Sequence, residues 1–333
     1  SGHYGFYLQN MYTFQIEGKE FVLKPMNCPG HILIYKSKLH SYKELPIKLF
    51  ELGTVYRHEK SGVLHGLLRV RGFTQDDAHI FCTPEQVREE IVKVVDFVFA
   101  AMKDFGFNDV AIELSTRPSD SIGTDEDWQR ATLALEDALK EKGLKYQINE
   151  GDGAFYGPKI DIKLRDALKR QWQCATIQCD FALPGRFDLK YIDAEGKERQ
   201  PVMLHRVILG SLERFMGALL EHYAGAFPLW LAPTQVKIIP IRTEQQAYAQ
   251  NIENEMRGAG LRVELDMANE TLPKRIRTAE MEKSPYIIVL GEREAEAGKI
   301  AVRKRGVGDQ GQMELKDFIS KIKKEIETKE QLK

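Results

Sequence analysis

The chain has 333 residues, 43% hydrophobic and 29% charged, which is the composition of a soluble globular protein with about two domains. Its formal net charge of −1 predicts neither a nucleic-acid nor a membrane partner, although a local basic face would still permit RNA binding. The sequence contains no apolar run as long as a membrane span and no signal-peptide pattern, so we expect no membrane association.

The cysteines indicate the compartment rather than the chemistry. Cys28, Cys82, Cys174 and Cys179 form no CxxC pair, so neither a zinc ribbon nor a redox dithiol is predicted. Few cysteines in a large chain are typical of the cytosol, where thiols stay reduced. We therefore expect a cytoplasmic protein.

The first part of the chain reads as short strands and turns around one helix. Two strands are expected within residues 10–24, followed by a rigid turn in KPMNCPGH and a helix over 29–40. Residues 51–58 and 67–79 are then predicted to form a long hairpin rich in charge. Such a hairpin is either an exposed edge or the wall of a polar site, and the apolar residues between its charges favour the wall.

The middle of the chain alternates helices with a second polar hairpin. Capping boxes at Thr83 and Thr124 predict two amphipathic helices, separated by a short strand over 109–115. A hairpin follows, with residues 172–181 as its return strand, and then a strand ending near His205. The next helix carries Arg214 on its apolar face, where an arginine either extends its head to the surface or points into a cleft.

After residue 228 the pattern changes to alternating strands and helices. This periodicity predicts a smaller α/β domain with a mostly parallel sheet over residues 229–333. The fold class is therefore α+β for residues 1–228, around an antiparallel sheet with flanking helices, followed by an α/β domain. The sequence has no Walker loop and no GxGxxG, so a nucleotide would not bind through those motifs.

Several short motifs of this sequence resemble those of one family of synthetases. YRHE in the hairpin and GSLERF at a helix start resemble motifs 2 and 3 of class II aminoacyl-tRNA synthetases. KPMNCPGH, LHGLLRVRGFTQDDAHIF, GAFYGPKID, WQCATIQCDF and VMLHRVILGSLERF resemble the threonyl-tRNA synthetase family, and the chain from LAPTQV onward is similar to its anticodon-binding domain. The resemblance implies a catalytic domain over residues 1–228 and an anticodon-binding domain over 229–333.

The resemblance assigns the ATP site. Arg57 would hold the α-phosphate and Arg214 the γ-phosphate, since the guanidinium fork matches phosphate oxygens and offsets charge that develops in transfer. Glu59 would accept a hydrogen bond from the adenine amino group. Gln173 would help to place Mg²⁺ through water, and the Mg²⁺ would neutralise the triphosphate.

The resemblance also implies one zinc ion per chain, held by Cys28, His79 and His205. From spacing alone, a buried cysteine and two structural histidines would be the plainer interpretation. Three protein ligands leave an open coordination position, at which the family's zinc takes the amine and hydroxyl of threonine. Valine lacks that hydroxyl, and an apolar pocket alone separates such near isosteres by only about two orders of magnitude.

The remaining assignments concern the amino acid and the tRNA. Asp77 would accept from the threonine hydroxyl, and Gln75, Tyr156 and Gln178 would line the pocket. Arg69 would brace the site or the carboxylate, and Lys159 would be a pocket charge near Tyr156. His3 matches a histidine proposed in the family as the base for transfer to the tRNA ribose. Asn269, Glu294 and Arg303 match anticodon-reading positions, where base edges need hydrogen bonds and charge together.

The resemblance thus implies a threonine–tRNA ligase acting on threonine, ATP and tRNA(Thr) as a homodimer. The family's N-terminal editing region has no counterpart in the sequence, so we expect this chain alone to mischarge serine. Two rival interpretations are a non-catalytic RNA-binding or regulatory relative and a class II ligase for another substrate. The two arginines speak against the first rival and the zinc ligands against both.

Overall fold

The computed structural model describes residues 3–165 and 170–331, apart from the side chain of His3. The chain divides into two compact units, residues 1–219 and residues 220–333. The sequence places the domain boundary after residue 228, within the second unit, and that boundary stays a prediction.

The first unit is organised around an antiparallel sheet. Among its described residues the strands are β1 (Thr13–Ile16), β2 (Lys19–Val22), β3 (His40–Ser41), β4 (Ile47–Tyr56), β5 (Gly72–Cys82), β6 (Val110–Ser115), β7 (Gln147–Asn149), β8 (Lys159–Arg165), β9 (Gln171–Asp180), β10 (Tyr191–Ile192), β11 (Glu198–Arg199) and β12 (Val202–Val207). Seven of them form one sheet in the order β4-β5-β12-β9-β8-β6-β7, in which only the β6–β7 pair is parallel. The predicted α+β class is confirmed.

Helices cover one face of this sheet. The helices that begin before residue 220 are α1 (His3–Tyr7), α2 (Cys28–Lys36), α3 (Val87–Asp104), α4 (Asp125–Glu141), α5 (Leu183–Arg186) and α6 (Leu212–Tyr223). The long α3 and α4 pack on each other and on β8, β9 and β12, with their apolar stripes buried. Successive strand residues point to opposite faces, so the other face of the sheet is left for polar side chains.

The predicted elements are present with shifted bounds. The hairpin strands run over 47–56 and 72–82 rather than 51–58 and 67–79, because residues 61–63 and 66–68 turn within a longer loop. The helix expected over 29–40 ends at Lys36, where the hydroxyl of Ser37 bonds the Ile34 carbonyl at 2.7 Å and His40 enters β3. At Thr124 the predicted capping box is confirmed.

The second unit is a five-stranded sheet with helices. Its described elements are β13 (Val236–Pro240), α7 (Gln246–Gly258), β14 (Val263–Leu265), α8 (Leu272–Met281), β15 (Tyr286–Leu290), α9 (Glu292–Ala297), β16 (Ile300–Lys304), β17 (Gly308–Met313) and α10 (Leu315–Glu327). The order is β14-β13-β15-β16-β17, and the pairs β15–β16 and β16–β17 are antiparallel. The prediction of a mostly parallel sheet is therefore wrong, because the sequence analysis missed β17, which carries almost no apolar residues.

Candidate active site

A row of polar side chains crosses the centre of the seven-stranded sheet. His79 on β5 pairs with His205 on β12, His205 with Gln178 on β9, and Gln178 with Lys159 on β8. Directly opposed residues point to the same face of a sheet. The backbone register therefore aligns two predicted metal ligands and two predicted pocket residues.

A cleft of about 1140 Å³ lies along this row. Its walls include every residue predicted for ATP, the amino acid or the metal: Cys28, Arg57, Glu59, Arg69, Gln75, Asp77, His79, Tyr156, Lys159, Gln173, Gln178, His205 and Arg214. Because Arg214 lines the cleft, the alternative in which its head reaches the surface is wrong. The side chain of His3 lies outside the described residues, so its position stays untested.

Three of these side chains form a buried donor group. One ligand atom each of Cys28, His79 and His205 lies within 4.8 Å of the others, and all three residues are buried. Sulfur with two imidazole nitrogens is a donor set that suits zinc, and three ligands leave a position open. The residues present therefore fit the metal that the resemblance implies.

Each histidine of this group is held by a second residue. Nδ1 of His79 lies 2.7 Å from Nδ1 of His31, and Nε2 of His205 lies 2.9 Å from Oδ2 of Asp180. These contacts leave Nε2 of His79 and Nδ1 of His205 as the atoms for a metal. Metal-ligating histidines in proteins commonly bond an outer partner through the other nitrogen, so this arrangement is a further sign of fit.

Burial shifts the pKa values of Cys28 and His79. Burial raises the pKa of the Cys28 thiol well above its usual value and lowers the pKa of His79 well below its own. A neutral imidazole is the form that binds a metal. The thiolate would need a nearby cation to compensate for its desolvation, and a bound dication would supply that charge.

Asp77 lies beside the donor group on the same face of β5. Its Oδ2 accepts from Nδ2 of Asn27 at 3.1 Å, and its Oδ1 lies 3.7 Å from Nε2 of His79. Burial raises the pKa of Asp77 to about 6. Gly53 keeps this contact possible, because a Cβ at Gly53 would lie 2.5 Å from the Asn27 side chain.

An aromatic ring and an amide form the next part of the wall. The Tyr156 ring stacks on the His205 ring at 4.7 Å between centroids, and its hydroxyl donates to Oε1 of Gln178. Gln75, on β5, forms an isolated backbone bridge with Ser211 just before α6. These residues narrow the cleft beside the two histidines.

The two predicted phosphate arginines are anchored by backbone carbonyls. Nε of Arg57 donates to the Pro25 carbonyl at 3.1 Å. Arg214 donates through Nε to the Leu68 carbonyl at 2.8 Å and through Nη1 to the Gln173 carbonyl at 3.1 Å. Burial lowers the pKa of Arg214, but a guanidinium stays charged in proteins. Both cations are therefore held at the cleft.

Glu59 and Arg69 contact each other directly. Nε and Nη2 of Arg69 both donate to Oε2 of Glu59, at 3.2 and 2.9 Å. The predicted brace and the predicted adenine acceptor thus form one unit, and Nε of Arg71 also bonds the Glu59 carbonyl at 3.0 Å.

A β-bulge orients Gln173. The register of β8 and β9 shifts between Ile162 and Lys163, so Gln173 points to the same face as Thr176. Nε2 of Gln173 donates to Oδ1 of Asp161 at 2.6 Å and to the Thr176 hydroxyl at 2.8 Å. Without the extra residue Gln173 would face away from the cleft.

Asp161 is a buried carboxylate that the sequence analysis missed. It pairs with Nζ of Lys159 at 2.8 Å, and Asp152 lies 3.2 Å from the same ammonium. Burial opposes the charge of Lys159, but the two carboxylates outweigh it and raise the pKa of this lysine. The alternation of Asp161 with Ile160 and Ile162 is typical of a solvent-facing position, so its burial could not be predicted from the sequence.

Asp76 is a second buried carboxylate that could not be recognised from the sequence, and its role is structural. Its carboxylate accepts from the backbone amides of Ile208, Leu209 and Gly210, which fixes the turn before α6 to β5. Gly210 has φ +74°, and a Cβ there would lie 2.6 Å from the Cys174 carbonyl oxygen. Only glycine fits this turn without strain.

The predicted anticodon residues lie in the second unit. Asn269 is in the segment between β14 and α8, Glu294 is in α9 and Arg303 is on β16. Both carboxylate oxygens of Glu294 already accept hydrogen bonds, from the Gly291 amide at 2.9 Å and from Nε2 of Gln312 at 2.6 Å. Contact of these residues with tRNA stays a prediction.

Among the described residues, no helix is both long and apolar enough to span a bilayer.

Two family matches cover most of the chain. Residues 12–223 match the tRNA synthetase class II core domain (G, H, P, S and T), and residues 235–325 match the anticodon binding domain. The cleft and its arginines therefore lie in a class II synthetase core.

Relatives of known sequence and structure narrow the class. Threonine–tRNA ligases of Carboxydothermus hydrogenoformans and Clostridium novyi are 55% and 58% identical over 99% of this chain. The chain spans about half the length of these curated relatives, 52% of each. A crystal structure described as the RNA binding domain of threonyl-tRNA synthetase from Cryptosporidium parvum matches with a TM-score of 0.93 at 46% identity, over 97% of this chain and 82% of that one. The chain belongs to the threonyl-tRNA synthetase family.

Proposed function

We propose that this chain activates threonine with ATP and transfers the threonyl group to tRNA(Thr). A threonine carboxylate oxygen would attack the α-phosphorus, the bond to the β-phosphate oxygen would break, and pyrophosphate would leave. The observation that carries the proposal is that the donor group of Cys28, His79 and His205 lines the same cleft as the two anchored arginines, Arg57 and Arg214.

The donor group and Asp77 would recognise the amino acid at one end of the cleft. Zinc held by Cys28, His79 and His205 would supply a Lewis acid that takes an amine and a hydroxyl together. Asp77 would accept from that hydroxyl, while Gln178 and Tyr156 would close the pocket, with Gln75 beside them. Valine has no hydroxyl to offer, whereas serine does, so we expect serine to be activated weakly and valine not at all.

The ATP end would be held by charge. Arg57 would bind the α-phosphate and stabilise the charge that develops there, and Arg214 would bind the γ-phosphate. Glu59 would accept from the adenine amino group, oriented by Arg69. Gln173, already fixed by Asp161, would bond a water on the Mg²⁺ that accompanies ATP.

Transfer to tRNA involves parts of the chain outside this cleft. His3 would act at the tRNA ribose, and Asn269, Glu294 and Arg303 would contact the anticodon. The homodimer that the resemblance implies and the cytoplasmic location that the cysteine content indicates also stay predictions. The anticodon-binding family match over residues 235–325 supports tRNA as the partner.

The test is amino-acid-dependent ATP–pyrophosphate exchange with threonine, serine and valine compared in parallel. We expect strong exchange with threonine, weaker exchange with serine and none with valine, with one zinc per chain by metal analysis. Exchange with another amino acid alone would overturn the assignment of threonine. The absence of exchange in a folded, zinc-loaded protein would favour a non-catalytic relative.

A further inference from the structure

We propose that His31 and Glu51 are positioning residues for the metal ligand His79, acting as a carboxylate–histidine–histidine chain that ends at the metal. The proposal rests on the proposed function, since it concerns the metal which that function requires. It assigns a task to two residues that touch neither the amino acid nor ATP in the scheme above.

The two residues reach His79 from different elements. His31 lies on α2, one turn after Cys28, so the same helix supplies a metal ligand and a support for another ligand. Its Nδ1 lies 2.7 Å from Nδ1 of His79, and the two rings meet edge to face with centroids 4.9 Å apart. On the other side, Nε2 of His31 lies 3.4 Å from Oε1 of Glu51, a residue of β4.

Only one arrangement of protons satisfies these contacts with a metal in place. If Nε2 of His79 binds the metal through its lone pair, the ring carries its proton on Nδ1. That proton is donated to Nδ1 of His31, which must therefore accept. The proton of His31 then lies on Nε2 and faces the carboxylate of Glu51. The Nδ1 donor of His79 thus meets an acceptor, and the Nε2 donor of His31 faces a carboxylate oxygen 3.4 Å away.

The two ligand histidines are supported in different ways. His205 bonds the carboxylate of Asp180 directly, at 2.9 Å. His79 reaches the carboxylate of Glu51 only through the imidazole of His31. A carboxylate behind a ligand histidine fixes the ring orientation and raises the basicity of the ligand nitrogen. The inserted imidazole would transmit both effects to His79.

The competing interpretation is that His31 is an ordinary buried histidine whose hydrogen bonds are satisfied. His40 is such a residue in the same unit and is equally buried, at 4% exposure for both. Nε2 of His40 bonds the Tyr35 carbonyl at 3.0 Å, and its Nδ1 lies 3.2 Å from Oε2 of Glu44. His40 therefore has the same carboxylate contact but no metal ligand, which makes it a matched control.

The test measures zinc affinity by competition with a chromophoric chelator, and thermal unfolding of the metal-free protein. His31→Leu removes the acceptor, and we expect zinc to bind about 10- to 100-fold more weakly. His31→Asn keeps an acceptor oxygen near the place of Nδ1, so affinity is expected to stay within a few-fold of the wild type. His40→Leu is expected to lower the unfolding temperature without changing zinc affinity.

The outcomes separate this inference from the proposed function. A wild-type chain that binds no zinc would overturn both. A wild-type chain that binds zinc, with His31→Leu binding it equally tightly, would overturn the inference and leave the proposed function standing. An equal loss of zinc affinity in His31→Leu and His31→Asn would contradict the role assigned to the hydrogen bond between His31 and His79.

A second variant keeps the test decisive if His31→Leu does not fold. Glu51 has a side chain that is 33% exposed, and Glu51→Gln keeps its size while removing its charge. We expect a several-fold loss of zinc affinity with little change in the unfolding of the metal-free protein. Unchanged affinity in Glu51→Gln would overturn the role of the carboxylate.

Discussion

Asn27 donates a hydrogen bond from Nδ2 to Oδ2 of Asp77 over 3.1 Å. Asn27 directly precedes the proposed metal ligand Cys28 and is 1% exposed. Asp77 is the residue proposed to accept from the substrate hydroxyl. The start of α2 therefore holds the proposed metal ligand and the proposed hydroxyl acceptor at a fixed separation.

Replacement of Asn27 by alanine is expected to weaken threonine binding. Loss of a partner from a buried polar group costs about 1–3 kcal/mol, which corresponds to a rise in KM for threonine of about 5- to 150-fold. The KM for ATP should be unchanged, because Asn27 lies at the amino-acid end. Pyrophosphate exchange, with each substrate varied in turn, measures both.

Asn149→Ala is the matched control for that variant. Nδ2 of Asn149 also donates to a carboxylate at 3.1 Å, that of Glu113, but Asn149 does not line the cleft. We expect both KM values of this control to stay at the wild-type level. An equal rise in the KM for threonine in both variants would contradict a specific role for Asn27.

Gly53→Ala should disturb the same hydrogen bond between Asn27 and Asp77. The new Cβ would lie 2.5 Å from the Asn27 side chain, and overpacking of this kind typically costs about 1–3 kcal/mol. We expect lower stability in chemical denaturation and a higher KM for threonine. Gly62→Ala has nothing within 4 Å of its new Cβ and should change neither quantity. Wild-type behaviour of Gly53→Ala would show that Asn27 can move freely.

Arg214→Lys tests the proposed phosphate contact. Lysine keeps the charge but lacks the fork that bonds the carbonyls of Leu68 and Gln173. We expect the rate of adenylate formation to fall by about 100-fold, comparable to the loss of one preorganised donor. Single-turnover kinetics measure this rate.

Arg88→Lys, at a solvent-exposed pair with Glu141, is the control for Arg214→Lys. Its adenylation rate should equal that of the wild type. A wild-type adenylation rate in Arg214→Lys would show that the fork is not needed.

Glu44 should contribute to stability in a pH-dependent way. The backbone amide of Ser41 bonds its carboxylate at 3.1 Å, and Lys38 and His40 bond it as well. These contacts, that of Ser41 above all, lower the pKa of Glu44 from 4.5 to about 2. A depressed acid pKa stabilises the folded state above the unfolded-state pKa, and this stabilisation is lost as pH falls towards the folded-state value.

Denaturant unfolding between pH 5 and pH 2 would reveal this contribution. The wild type should lose stability more steeply across that interval than Glu44→Gln, which cannot titrate. Glu150→Gln, at an exposed turn position, should follow the wild-type curve. Parallel curves for the wild type and Glu44→Gln would contradict the prediction.

Residues that line the cleft could be predicted from the sequence. Four of them lie far apart along the chain: Arg57, His79, His205 and Arg214. The sequence motifs around them nevertheless indicated one site, and the structure brings them to one cleft. Period-two alternation and capping boxes also predicted the central strands and the long helices. These signals are local in sequence, which is why they could be read.

Residues that hold the cleft residues in place could not be predicted in the same way. His31, Asn27, Asp161 and Asp180 each act through a contact with a residue that is distant in sequence. Nothing near them distinguishes a supporting polar side chain from a solvated one. The bulge that turns Gln173 towards the cleft depends on the pairing of two strands, and no single strand encodes it.

The cross-strand row also sets a length scale. Three strand-to-strand steps separate His79 from Lys159, and at about 4.8 Å per step this amounts to roughly 14 Å. That distance is determined by the hydrogen-bonded backbone and does not depend on side-chain rotamers. The sheet thus sets a fixed spacing between the proposed metal-binding position at His79 and Lys159. Substitutions at the row would change the chemistry of a position and leave the spacing between positions intact.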